Sequence, residues 1–142
     1  KLRKQDIDAA SAIVTRNYSP AYGRLARAEV AAMFDLSAVS RPTYYAAIEG
    51  NRLLGFAGYV VSWMDYEVAN IFWVNVDPDH QKRGIGKLLI NTLIAKAQKD
   101  KAINLVLLTT KTPAYYRKHF GFRTISKFGP NQDHLMELKV DR

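Results

Sequence analysis

No cysteine occurs among the 142 residues. Disulfides, thiolate metal sites and a cysteine nucleophile are excluded together, and the composition fits a reducing, cytoplasmic setting. Histidine is scarce as well: His80, His119 and His134 stand far apart without an HxxxH spacing, so no metal site is expected. No apolar run approaches the length of a membrane span, and the opening KLRKQDIDAA is not a secretory signal. A serine nucleophile motif of the G-x-S-x-G kind is missing. Repeats, low-complexity stretches and linkers are also absent, so one domain over residues 1–142 is expected.

What is present is globular in composition, with 48% hydrophobic and 24% charged residues. Lys and Arg number 21 against 13 Asp and Glu, a formal net charge of +8. A basic, soluble surface accounts for that excess. An anionic partner does so too, either nucleic acid or a polyphosphorylated small molecule. Lys96, Lys99 and Lys101 support the first, but no recognition helix or RNA-binding sheet signature accompanies them.

Helical spacing of Ile7, Ala10, Ser11 and Val14 predicts a helix over Lys4 to Arg16. Tyr22, Leu25, Glu29, Met33 and Leu36 predict a second, with NYSPAYG as the loop between them. Strands are expected at Thr43 to Ile48, Leu53 to Trp63 and Val68 to Val76. The middle one is apolar on both faces, and so should be covered on both. Its Gly55 and Gly58 predict a bulge or a close backbone approach. A helix follows from Gly84 to Lys99, striped by Ile85, Leu88, Leu89, Leu93 and Ala97. Then come a strand at Ile103 to Thr109, a short helix from Pro113 to Gly121, and closing strands at Phe122 to Lys127 and Leu135 to Val140. The order α-α-β-β-β-α-β-α-β-β predicts an α/β fold, a mixed sheet with helices on both faces.

Chemistry concentrates in HQKRGIGKLL, His80 to Leu89. Gly84 and Gly86 remove Cβ atoms at a helix N-terminus, where unsatisfied amides and a partial positive charge suit a phosphate. Lys82, Arg83 and Lys87 add full charges. A Walker A loop would need glycine at Gln81 and Ser or Thr at Leu88, and fails twice. A dinucleotide fingerprint would need Gly or Ala at Leu89 and an early βαβ unit, and fails as well.

What remains is Gln81-Lys82-Arg83-Gly84-Ile85-Gly86, a Q/R-x-x-G-x-G/A pattern behind a strand ending V-D-P. With RKHFGF downstream, in the right order, the chain resembles the GNAT superfamily of acetyl-CoA-dependent N-acetyltransferases over nearly its whole length. The family's first strand is largely missing, only Lys1 to Arg3 standing for it. The resemblance implies a mostly antiparallel mixed sheet splayed at the acetyl-CoA site. It implies that the pyrophosphate sits on Gln81, Lys82, Arg83, Gly84, Ile85, Gly86, Lys87 and Leu88. The pantetheine arm would run beside Val74, Asn75 and Val76, whose backbone would also supply the oxyanion donor.

The family's proton donor to the leaving thiolate is a tyrosine on the short late helix, for which Tyr116 is the nearer match and Tyr115 the alternative. Tyr116 stands one residue further from the GF glycine than the family places it. Many relatives carry an acid where Asn70 stands; Asn70 could position a water, and Glu67, Asp65 or His119 could act as base. The acceptor site is implied at Tyr18 to Tyr22 and along Trp63, Met64, Asp65 and Tyr66. Its aromatic and acidic character suits a cationic primary amine, whether small metabolite, amino-acid derivative or peptide N-terminus. The expected activity is acetyl transfer from acetyl-CoA directly to that amine in a ternary complex, without metal or membrane; a homodimer is left open. The alternatives are a non-catalytic acyl-CoA-binding sensor and a basic nucleic-acid-binding module.

Overall fold

The computed structural model describes residues 1–141, and its elements follow the expected order. Helices α1 (Ile7–Asn17) and α2 (Pro20–Ala31) precede strands β1 (Thr43–Glu49), β2 (Arg52–Val61) and β3 (Val68–Val76). Then come α3 (Ile85–Lys99), β4 (Leu105–Thr110), α4 (Pro113–Phe120), β5 (Arg123–Phe128) and β6 (Asp133–Lys139). The six strands form one sheet in the order β1-β2-β3-β4-β6-β5, antiparallel at every step except β3 with β4. At the N-terminus, Leu2 donates its N–H to Tyr44 O at 2.9 Å and is buried, so the opening residues lie against β1.

Each face of the sheet has its own core. Ala10, Val14, Ala26 and Val30 of α1 and α2 pack on Tyr44, Leu53 and Phe56. Leu89, Leu93 and Ala97 of α3 pack on Ala57, Tyr59, Ala69, Ile71 and Val106. Strand β2 contributes to both, and every residue from Leu53 to Tyr59 is buried. Its two glycines are close approaches. A Cβ on Gly55 would stand 2.8 Å from Asn75 O, and one on Gly58 2.7 Å from the Tyr44 ring.

Several local expectations are corrected. NYSPAYG is a loop only at Tyr18 and Ser19: Ser19 Oγ accepts the Tyr22 N–H at 3.2 Å, and Pro20 fits the first helical position. The buried face of α2 is Gly23, Ala26 and Val30, not the stripe through Tyr22, Leu25 and Glu29. Small residues let α2 sit close on α1, where Ser11 Oγ donates to Gly23 O at 2.8 Å. The larger side chains therefore point outward. In α3, Ile90 rather than Leu88 completes the buried stripe.

Candidate functional site

The β3–β4 pairing is short. Val68, Ala69 and Asn70 face Leu105, Val106 and Leu107, and beyond them the parallel strands part. Ile71–Val76 forms one wall of the resulting V and Leu108–Thr110 the other. A bulge re-aims the first wall: the β2–β3 register shifts between Phe56 and Gly58, and Trp73 takes φ 52°. Past the bulge, the Asp77 N–H bonds Leu54 O at 2.7 Å, so alternation turns the Val74 and Val76 backbone groups toward the open edge. Val76 O already accepts from Asn17 Nδ2 at 3.0 Å and from Gln81 Nε2 at 3.3 Å.

Two connected hollows fill this opening. A groove of about 690 Å³ runs over the glycine turn, lined by Val74, Asn75, Val76 and by Gln81, Lys82, Gly84, Ile85, Gly86 and Lys87, with Tyr115 and His119 opposite. Lys82 and Gly84 have φ of 65° and 79°, which curls the turn so that α3 starts at Ile85. Leu88 donates the first intrahelical bond, to Gly84 O at 3.0 Å, leaving the preceding amides outside the helical ladder. At Gly86 a Cβ would stand 3.6 Å from Val76 and 4.0 Å from the Tyr115 hydroxyl, inside the groove. The cradle fits a pyrophosphate. Two expected members stand apart from it: the Arg83 guanidinium pairs with Glu49 at 3.0 Å, and Leu88 is exposed with its amide consumed by the helix.

The second hollow, about 560 Å³, lies within the V itself. Tyr116 lines it with Val74, Leu108 and Thr110, and Tyr18 and Tyr22 close one side with ring centroids 5.7 Å apart. Burial, reinforced by Tyr115 and Tyr18, pushes the Tyr116 hydroxyl up to about 12, so it remains protonated at neutral pH. Burial raises Tyr115 as well. Among the described residues, Asp133 at the start of β6 is the acidic side chain lining this cleft. The sequence reading missed it, because nothing in the local pattern ties the β5–β6 turn to the glycine loop. Lys111 lines the same space.

Other expected residues lie elsewhere. Asn70 is half-buried at the apex of the V. Glu67 stands at the closed end of the strand pair: its carbonyl accepts the Asn104 and Leu105 N–H groups, and its carboxylate accepts Asn104 Nδ2 at 3.1 Å. Trp63 and Tyr66 line a separate recess with Arg41 and Thr43, on the hairpin that leaves the sheet at that closed end. Asp65 and Met64 share the hairpin, where Asp65 accepts the Glu67 N–H at 2.9 Å. The structure therefore separates Glu67, Trp63 and Tyr66 from Tyr18, Tyr22 and Tyr116. His119 reaches the groove mouth, its ring 4.8 Å from that of Tyr115.

The V-D-P stretch has a structural role. Asp77 is buried; it caps the turn by accepting the Asp79 N–H at 2.9 Å, and it holds Arg16 at 3.1 Å and Arg52 at 3.4 Å. Burial alone would raise its carboxyl, but that N–H and the two guanidinium groups outweigh burial and hold it below the usual carboxylate range. This fastens α1, β2 and the end of β3 around the cradle.

A profile of the acetyltransferase (GNAT) family matches residues 8–122. The chain belongs to this family. It is thus an acyltransferase. Solved GNAT structures share the fold across the whole chain. A protein assigned to the family from Desulfovibrio desulfuricans superposes with a TM-score of 0.86 at 18% identity, covering 99% of this chain and 96% of the other. The ribosomal-protein-S18-alanine N-acetyltransferase of Escherichia coli gives 0.76 at 19%, covering 99% and 92%. An aminoglycoside 6'-N-acetyltransferase solved with coenzyme A gives 0.77 at 16%, covering 99% and 93%. At these identities the likeness is one of fold. A search of curated protein sequences returns no match.

Proposed function

We propose that this protein transfers an acetyl group from acetyl-CoA directly to a primary amine. The observation that carries the reading is the continuity of two hollows, a phosphate cradle at Gly84–Lys87 opening into a cleft that holds Tyr116, Tyr18 and Asp133. The amides of the glycine turn hold the pyrophosphate, with Lys82 and Lys87 beside them. The open edge of Val74 and Val76 takes the pantetheine as an added strand, and a backbone N–H past the bulge faces the developing oxyanion. An alkyl ammonium with pKa near 10.4 is less than ~0.1% neutral at pH 7, and reaching the neutral form costs roughly 4–5 kcal/mol. Asp133 stands in the cleft to take the proton that Glu67, at the closed end, cannot reach.

The amine nitrogen attacks the thioester carbonyl, the C–S bond breaks, and Tyr116 gives its proton to the departing sulfur. The amine's surplus proton leaves through Asp133 or water. With neither cysteine nor an activated serine to carry an acetyl group, proximity of donor and acceptor supplies the catalysis instead. Partners are then small-molecule or peptide amines rather than nucleic acid.

The test is coenzyme A release from acetyl-CoA across a panel of primary amines, with N-acetylated product identified by mass. Amine-dependent release is expected. Tight acetyl-CoA binding with no thiol released by any amine would establish a sensor, and a salt-dependent nucleic-acid gel shift in its place would establish a basic binding module.

A further inference from the structure

Six of the thirteen acidic residues on this basic chain are tied up in arginine pairs. Asp6, Asp8, Glu49, Asp77, Asp79 and Glu137 each pair with an arginine. Among the described residues, Glu29 and Asp133 pair with no lysine or arginine, and both border aromatic hollows. Asp133 lies in the cleft between β3 and β4. Glu29, on the outward face of α2, borders a recess of about 460 Å³ whose walls include Tyr44, Phe72 and Trp73. Phe72 and Trp73 line both hollows, so the two adjoin across the bulge.

The Glu29 recess is built for more than packing. The Trp73 indole N–H donates to one carboxylate oxygen of Glu29, which fixes the ring as a wall. Tyr44 is fully buried in the floor of the recess, and its hydroxyl has no partner among the described residues. Burial, and after it the nearby Glu29 charge, drive that hydroxyl above its ordinary range. A carboxylate beside the partly exposed Trp73 and Phe72 rings matches an organic cation, through charge and through the ring faces.

We infer that the Glu29 recess is a second cation subsite, and that the acceptor is a diamine or longer polycation. One ammonium rests against Glu29 and Trp73 while the other amine meets the donor beside Asp133 and Tyr116. This inference rests on the acetyl-transfer reading and narrows its acceptor class.

The experiment uses straight-chain α,ω-diamines of increasing length, with monoamines of equal length as controls. In the wild type, kcat/KM for the best diamine should exceed that of its matched monoamine by about tenfold or more, mainly through KM, with an optimum chain length. Glu29→Gln keeps an oxygen for the Trp73 N–H and removes the charge. The diamine-to-monoamine ratio should then fall toward one. A ratio that stays unchanged, with both rates lowered together, would show that Glu29 merely props Trp73 and would overturn the subsite. So would equal wild-type rates for diamine and monoamine.

Calorimetry of the same diamines on coenzyme A-loaded protein reads the subsite without turnover. Binding about tenfold weaker in Glu29→Gln is expected, and equal binding in the two proteins would also sink the inference. Coenzyme A release with monoamines but without the diamine preference defeats the subsite alone. Absent acetyl-CoA binding defeats the acetyl-transfer reading itself.

Discussion

Gly84 and Gly86 are both glycine for different reasons, and substitution separates them. Gly84 has φ 79° with nothing within 4 Å of a Cβ, so only its backbone conformation demands glycine. Gly84→Ala should cost about 1 kcal/mol of stability, measurable by denaturant unfolding. Gly86 is helical and a Cβ there makes ordinary contacts, so Gly86→Val should stay folded while its side chain fills the cradle. Calorimetry should find acetyl-CoA binding severely weakened in Gly86→Val and only slightly in Lys82→Ala, an exposed charge in water. Unchanged affinity in folded Gly86→Val would remove the phosphate from this turn. The tyrosines divide in the same way. Tyr116→Phe preserves a packed ring and loses a donor, so kcat should fall by about 10²–10⁴-fold with acetyl-CoA affinity retained. Tyr115 lines the groove rather than the cleft, and Tyr115→Phe should change kcat far less. The reverse result would move the acid one residue upstream.

At the scale of elements, the fastening of α1 to the β3 end should be visible in stability. Asp77→Asn removes the charge that gathers Arg16 and Arg52, and should cost about 1–2 kcal/mol in denaturant unfolding. The folded carboxyl is held below its unfolded value, so its contribution is present above about pH 4 and is lost as pH falls further. The wild type should therefore lose more stability than Asp77→Asn between about pH 5 and pH 2. Element order was legible because periodicity and turn chemistry are local: Pro113, Gly121 and the alternation at Met136 and Leu138 each mark their own boundary. The glycine cradle was legible for the same reason. The opening of β3 from β4 was not, since it lies in where pairing stops, after Asn70 and Leu107, and no residue type announces that. Trp63 and Tyr66 were expected at the acceptor site through the family resemblance, yet their hairpin leaves the sheet at the closed end. Asp133 and Glu29, remote in sequence from the cradle, became visible only once the sheet brought their hollows together across Trp73.

For the whole molecule, buried tyrosines set an alkaline limit. Burial pushes both Tyr59 and Tyr116 up to about 12, and Tyr44 higher still. The folded state thus keeps protons that the unfolded state releases above about pH 10, so stability must fall as pH rises from there. Tyrosinate absorbance from the buried Tyr44 and Tyr59 should appear together with loss of the near-ultraviolet circular dichroism signal, not before it. Separate, earlier ionisation would contradict their burial. The proposal of direct transfer rests on the same whole-molecule geometry, because cradle and cleft are open at once and the chain has no cysteine to hold an acetyl group. Initial-rate kinetics with acetyl-CoA and amine both varied, paired with mass spectrometry of the enzyme after acetyl-CoA alone, tests that claim most directly. Direct transfer predicts double-reciprocal lines that intersect and no acetylated residue that turns over. Parallel lines, with an acetyl-enzyme that forms rapidly and passes its acetyl group to the amine at the turnover rate, would contradict it.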